Sequence, residues 1–70
     1  MTKFPCDNNQ AFKNAIKWLH EHRGISTVGD TINAFQSEFK GYLFVDNNWD
    51  WETITFANDQ DATVFVLRFS

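Results

Sequence analysis

The spacing of the apolar residues changes once along the chain, at Gly41. Between residues 11 and 39 the apolar side chains recur every three or four positions, as they do on one face of an α-helix. Beyond residue 41 they alternate with polar residues or form short runs, which is typical of β-strands. This change of period predicts helices followed by strands, and therefore an α+β fold in which residues 1–70 form a single domain.

The first predicted helix runs from about Asn9 to Arg23. Asn9 can cap its start through its side chain, and Gly24 can end it because glycine readily adopts the left-handed conformation. Its apolar residues have helical spacing and form one stripe, made of Phe12, Ala15, Ile16 and Leu19.

The second predicted helix follows a cap at Ser26 or Thr27, with Thr27 and Asp30 at the spacing of a capping box. Gly41 is the residue expected to close it. One apolar face is again present, made of Val28, Ile32, Phe35 and Phe39.

Three strands are predicted after Gly41, joined by a two-residue turn at Asn47-Asn48 and a second turn at residues 58–61. Strands joined by short turns pair with their sequence neighbours, so we expect an antiparallel meander. The element order is then α-α-β-β-β, with both helices packed on one face of the sheet in a two-layer domain. The predicted strands are Tyr42–Val45, Trp51–Ala57 in the centre, and Thr63–Phe69.

The alternation along the predicted strands assigns side chains to two faces. The helix-covered face is expected to contain Ile54, Phe56, Phe65, Leu67 and Phe69. The opposite face is expected to contain Trp51, Thr53, Thr55, Val64, Val66 and Arg68, with Trp51 across from Arg68 in a cation–π pair. The register at the first turn leaves open on which face Phe44 lies.

The composition limits the compartment and the source of stability. A single cysteine cannot form an internal disulfide, so the 43% of hydrophobic residues must supply the core. One cysteine is also typical of a reducing compartment, which predicts a cytoplasmic protein. No apolar run reaches the length of a signal peptide core or a membrane span, so no membrane association is expected.

The net charge of −3 is concentrated in the second half of the chain. Residues 41–70 carry one cation against five carboxylates, a balance of −4. Such a surface disfavours the phosphates of nucleic acids and favours a partner with a basic or apolar surface. The five carboxylates belong to Asp46, Asp50, Glu52, Asp59 and Asp61, and the cation is Arg68.

The sequence predicts no metal site and no catalytic site. Asp46, Asn48 and Asp50 fit positions 1, 3 and 5 of a calcium loop, but Trp51 replaces the required glycine and Ala57 the required glutamate. The only nitrogen and sulfur ligands belong to one cysteine and two histidines. We therefore expect no cofactor, no metal and no enzymatic activity.

Those three side chains are Cys6, His20 and His22. The two histidines are two positions apart on a helix, so they point to different sides and cannot share a metal ion. Catalysis by Cys6 would need an orienting partner and an enclosing pocket, which a domain of this size can hardly provide.

Nucleic-acid binding is the alternative function that the sequence leaves open. The two helices have roughly the outline of a degenerate helix-turn-helix, but residues 26–39 contain no Lys or Arg. The aromatic residues of the sheet could instead stack on single-stranded bases, although the local charge is unfavourable. Those residues are Tyr42, Phe44, Trp49 and Trp51.

The prediction is accordingly a small, acidic, non-catalytic protein-binding module that inhibits or modulates a larger protein or complex. This format is common among small proteins of viruses and mobile elements. An uncovered sheet face is the expected contact surface, and a homodimer could form through that face or through the edge strand. The predicted contact residues are Trp49, Asp50, Trp51, Thr53, Val64, Val66 and Arg68.

Overall fold

A computed structural model describes all residues from Met1 to Ser70 and shows three helices and three strands. The α+β class is confirmed, with an antiparallel sheet of strand order β1-β3-β2. The elements in chain order are β1 (Thr2–Pro5), α1 (Gln10–Arg23), α2 (Val28–Phe39), β2 (Gly41–Val45), β3 (Trp51–Phe56) and α3 (Asp59–Phe69).

The order of the elements corrects the predicted α-α-β-β-β meander. The expected third strand, Thr63–Phe69, lies within helix α3, and the third strand of the sheet is β1 at the N-terminus. Strand β3 is central, as expected, but its second neighbour is β1 and not a following strand.

Helix α3 forms because its apolar residues also fit a helical period. Ala62, Phe65 and Phe69 are spaced by three and four positions and are all buried. The side chain of Asn58 accepts a hydrogen bond from the Gln60 N–H at 2.8 Å and caps the helix start. Leu67, which the strand assignment placed in the core, is 73% exposed.

Strand β1 was not predicted, because the segment is short and contains a proline, so its sequence pattern does not identify it as a strand. Pro5 has no backbone N–H to donate. It is tolerated because β1 is an edge strand, where the N–H groups of alternate residues face away from the sheet and need no partner strand. Phe4 lies opposite Ile54 and Lys3 lies opposite Thr55, so the two side chains point to different faces of the sheet.

The predicted helix starts are confirmed, and one predicted helix end is wrong. Asn9 and Thr27 accept hydrogen bonds from the N–H groups of Phe12 (3.0 Å) and Asp30 (3.2 Å). Gly24 ends α1 with φ +64°. Helix α2, however, ends at Lys40, which has φ +60°, and Gly41 is the first residue of β2.

The β2–β3 hairpin contains a bulge that changes the direction of Trp51. Phe44 pairs with Thr53 while Val45 pairs with Trp51, so Glu52 is an extra residue on β3. The connection spans residues 46–50 and is longer than the predicted two-residue turn. Because the bulge shifts the alternation, Trp51 faces the helices and its ring lies 6.0 Å from that of Phe12.

All three helices pack on one face of the sheet, where phenylalanines form most of the core. Phe65 is central, with ring centroids 5.3 Å from Phe56, 5.5 Å from Phe39 and 5.8 Å from Phe35. The sheet contributes Leu43, Ile54 and Phe56 to this core. No helix combines the length and the apolar character required to cross a bilayer.

Candidate binding surface

The face of the sheet opposite the helices is uncovered and carries two exposed aromatic rings. Tyr42 and Phe44 are 44% and 53% exposed, and their positions two residues apart on β2 put them on the same face. Their cross-strand neighbours on β3 are Thr55 and Thr53. These four residues line an open groove of about 570 Å³, which we call the open face.

The open face carries one charged side chain of each sign. Lys3 of β1 lies opposite Thr55, and Glu52 lines the groove at the hairpin end of β3. Neither forms an ion pair within 4.0 Å. The face is therefore mainly apolar, without the excess of positive charge that phosphate groups require.

The hairpin loop next to the open face is held by its own hydrogen bonds. One carboxylate oxygen of Asp46 accepts from the backbone N–H groups of Asn48 at 2.8 Å and Asp50 at 3.0 Å. The Asp46 N–H donates to the Asp50 carbonyl, and the Trp49 N–H to the Asp46 carbonyl. These bonds keep Trp49 at φ +64° with 71% of its surface exposed.

The same end of the molecule is acidic. Asp46, Asp50 and Glu52 border a shallow depression together with Asp7, and Lys13 is the one cation beside them. Glu52 borders both this depression and the open face, so the two surfaces are continuous. No group of three or more metal-ligating side chains is close enough to hold an ion anywhere in the chain.

The predicted contact residues do not share one face. Trp49 and Asp50 lie in the hairpin loop, and Thr53 lies on the open face. Trp51 is half-buried against the core because of the bulge. The remaining three residues, Val64, Val66 and Arg68, are on α3 because that segment is a helix, so they lie on the other side of the sheet.

On α3, Val66 packs partly against the core, whereas Val64 is 57% exposed. Arg68 does not meet Trp51, as the strand assignment predicted. Its guanidinium lies 4.7 Å from the centre of the Trp18 ring, and that of Arg23 lies 5.5 Å from the same ring. Trp18 is thus half-buried and covered by two cations, which leaves little of it for a partner.

The one cysteine is buried next to the hairpin end. Burial raises the pKa of the Cys6 thiol to about 11, so at neutral pH the side chain is protonated and a poor nucleophile. His20 and His22 are exposed on α1, and the His22 ring stacks on Trp18 with a centroid distance of 5.2 Å.

The aromatic pair on the β2 side of the open face was not among the predicted contact residues. Tyr42 to Val45 is a continuous apolar run, so the sequence alone does not show that Leu43 is buried while Tyr42 and Phe44 are exposed. The face on which the two rings lie could not be assigned because the register at the first hairpin was open, and a shift of one residue exchanges the two faces.

Comparison with known proteins identifies no relative: no protein-family model, curated protein or solved structure matches the chain. Its function must therefore be inferred from the surfaces described above.

Proposed function

We propose that the protein is a small non-catalytic protein-binding module that binds its partner through the open face. The observation that carries this proposal is the pair of exposed rings, Tyr42 and Phe44, on a sheet face that no helix covers. Exposed apolar patches next to charged residues are typical of protein interaction sites, and tyrosine is enriched among the residues that contribute most to binding.

The two rings can contribute much of the binding free energy. About half of each side chain is exposed, so a partner would remove roughly 100 Å² per ring from water. At about 25 cal/mol per Å², this corresponds to about 2.5 kcal/mol per ring before the cost of association. Substitution of both rings should therefore weaken binding strongly.

The small size of the open face supports a proposed contact that also includes the acidic hairpin end. Three strands about 4.8 Å apart and about 17 Å long cover roughly 240 Å² in projection. A standard interface buries about 800 Å² per partner. The adjoining surface with Trp49, Asp50 and Glu52 supplies additional area and negative charge, which favours an apolar partner surface with basic residues at its rim.

Affinity capture with matched variants tests this proposal. We expect the combined Tyr42→Thr and Phe44→Thr variant to lose the proteins captured by the wild type, because threonine keeps strand propensity but removes the rings. A Val64→Gln and Leu67→Gln variant removes exposed apolar surface from α3 and should capture the same proteins as the wild type. Equal capture by all three proteins, with folding verified by circular dichroism, would place the contact elsewhere.

Single-strand nucleic-acid binding is the second candidate, because Tyr42 and Phe44 could stack on bases and Lys3 lies beside them. Against it stand the net charge of −3 and the acidic hairpin end. Fluorescence anisotropy with labelled single-stranded DNA and RNA at low salt distinguishes the two. A protein-binding module shows no binding, whereas a nucleic-acid binder shows binding that weakens steeply as salt increases.

A further inference from the structure

The two edges of the sheet differ in how well they are protected against pairing with another strand. Edge strand β1 has four residues, which include the charged Lys3 and Pro5. The carbonyl of Pro5 also accepts a hydrogen bond from the Asn9 side chain at 3.0 Å. Charges, prolines and short length are the usual means by which an edge strand avoids pairing.

Edge strand β2, which is one residue longer, has neither a charge nor a proline to prevent pairing. Its sequence, Gly41–Val45, contains no charged residue and no proline. Apart from the ladder to β3, no backbone or side-chain hydrogen bond involves its backbone groups. The outer row of N–H and C=O groups is therefore available to another strand.

We infer that β2 pairs antiparallel with β2 of a second copy of the chain, around a two-fold axis at Leu43. Because the interface is isologous, each β2 residue lies opposite a residue of the other copy that is equally far from Leu43 in the opposite direction along the strand. Tyr42 then lies across from Phe44 of the other copy. Aromatic cross-strand pairs of this kind stabilise sheets, with Cβ atoms about 4.5–5.5 Å apart.

The charges at the two ends of β2 support a second copy as the occupant of this edge. Lys40 precedes the strand by one residue and Asp46 follows it by one, so both are three positions from Leu43. The two-fold pairing puts each Lys40 opposite Asp46 of the other copy, twice per dimer. Neither residue has an ion-pair partner within 4.0 Å in the single chain.

Pairing through β2 does not cover the open face but extends it. The two-fold axis is perpendicular to the sheet, so both open faces lie on the same side of one six-stranded sheet. Its projected area doubles to roughly 480 Å². Both the pairing and the proposed partner binding involve Tyr42 and Phe44, so the pairing is tested through Lys40, whose substitution leaves both rings in place.

Cross-linking with mass spectrometry tests the pairing directly. Within one chain, the Cα atoms of Lys40 and Asp46 are about 20 Å apart along an extended strand, further than the two side chains can span. A zero-length carbodiimide cross-link between Lys40 and Asp46 therefore joins two copies. In an equal mixture of ¹⁴N and ¹⁵N protein we expect this cross-link in mixed-isotope form, whereas its absence from a reacted sample would overturn the proposal.

Sedimentation equilibrium from roughly 10 µM to 1 mM gives the second test. We expect a monomer–dimer equilibrium whose dissociation constant rises at least about tenfold in Lys40→Glu, because two attractive pairs become repulsive. Lys17→Glu, the same charge change on exposed α1, should leave the constant within about twofold. A monomer at all concentrations, or equal effects of the two variants, would refute the pairing.

Lys40→Gly provides a variant that keeps the fold. Glycine suits the left-handed conformation of position 40, so the helix end is preserved while the charge is lost. We expect weaker dimerisation with an unchanged circular dichroism spectrum. Unchanged dimerisation in this variant would contradict the role of the Lys40–Asp46 pairs.

Discussion

Substitution of Gly41 by alanine tests the packing of β2 on the core. An added Cβ would lie 3.0 and 3.1 Å from two atoms of the Phe56 ring and 3.2 Å from Cδ1 of Ile54. Both neighbours are fully buried, so neither can move without disturbing the core. Overpacking costs about 1–3 kcal/mol, and the reduced freedom of the unfolded chain offsets about 0.4–1 kcal/mol. We expect a net destabilisation of about 1–2 kcal/mol.

The other two glycines provide matched controls for the same substitution. Gly29 lies in the first turns of α2 with no atom within 4 Å of an added Cβ, so alanine should stabilise the protein by about 0.5–1 kcal/mol. Gly24 also has free space, but its φ of +64° is unfavourable for alanine. Gly24→Ala should therefore destabilise by about 1 kcal/mol through backbone strain alone.

Urea unfolding followed by circular dichroism measures all three variants. The expected loss in Gly41→Ala corresponds to a fall in melting temperature of roughly 5–15 °C for a domain of this size. If Gly41→Ala instead stabilises the protein as Gly29→Ala does, then Gly41 is not packed beneath Phe56. The register that pairs Gly41 with Phe56 would then be wrong.

Three further predictions concern a helix end, an acid and a core aromatic. Lys40→Gly should stabilise the protein by about 0.5–1 kcal/mol at dilute, monomeric concentration, because Lys40 has φ +60°. The pKa of Asp59 is lowered by the hydrogen bond that the Thr2 hydroxyl donates to it and by the N-terminal ammonium, which lies 3.8 Å away. Ionised Asp59 therefore stabilises the fold above its ordinary pKa of 3.8, and this stabilisation is lost as the pH falls below that value. In urea titrations, Asp59→Asn should remove this contribution to the acid-side slope, which is the fall in the free energy of unfolding at acid pH. Trp51→Ala should destabilise by about 1.5–3 kcal/mol because the ring packs against Phe12.

Each of these predictions has an outcome that would contradict it. A less stable Lys40→Gly would mean that position 40 does not end α2 in the left-handed conformation. An unchanged acid-side slope in Asp59→Asn would mean that the contacts of Asp59 with the N-terminus do not persist in solution. A stability change in Trp51→Ala as small as that in Phe44→Ala, expected to be below about 1 kcal/mol, would put Trp51 back on the surface.

The helices of the first half were predictable because their signals are local. Asn9, Thr27 and Gly24 have the cap chemistry that the structure shows, and each acts within a few residues. The end of α2 was not predictable, because a lysine in the left-handed conformation beside a glycine cannot be recognised from sequence. Gly41 is required for close packing against Phe56 and not for the helix end.

The last segment was wrongly predicted because it satisfies two periods at once. Phe65 and Phe69 are compatible with alternation and with a spacing of four. What decides between them is tertiary: as a helix, the segment brings Phe65 into contact with rings from α2 and β3. Such contacts are not visible in the order of the residues.

The surface could be predicted in part. Ile54 and Phe56 are in the core, and Thr53 and Thr55 are on the open face, as the alternation indicates. Before Thr53 the assignment fails, because the extra residue at Glu52 reverses the alternation and no local pattern marks it.

The most direct test of the open-face account is the affinity for a purified partner obtained by the capture experiment. Isothermal titration should show that Tyr42→Thr and Phe44→Thr together raise the dissociation constant at least about 30-fold, the effect of losing about 2 kcal/mol. The Val64→Gln and Leu67→Gln variant should bind as the wild type does. An unchanged dissociation constant in the folded Tyr42→Thr and Phe44→Thr variant would contradict binding through the open face.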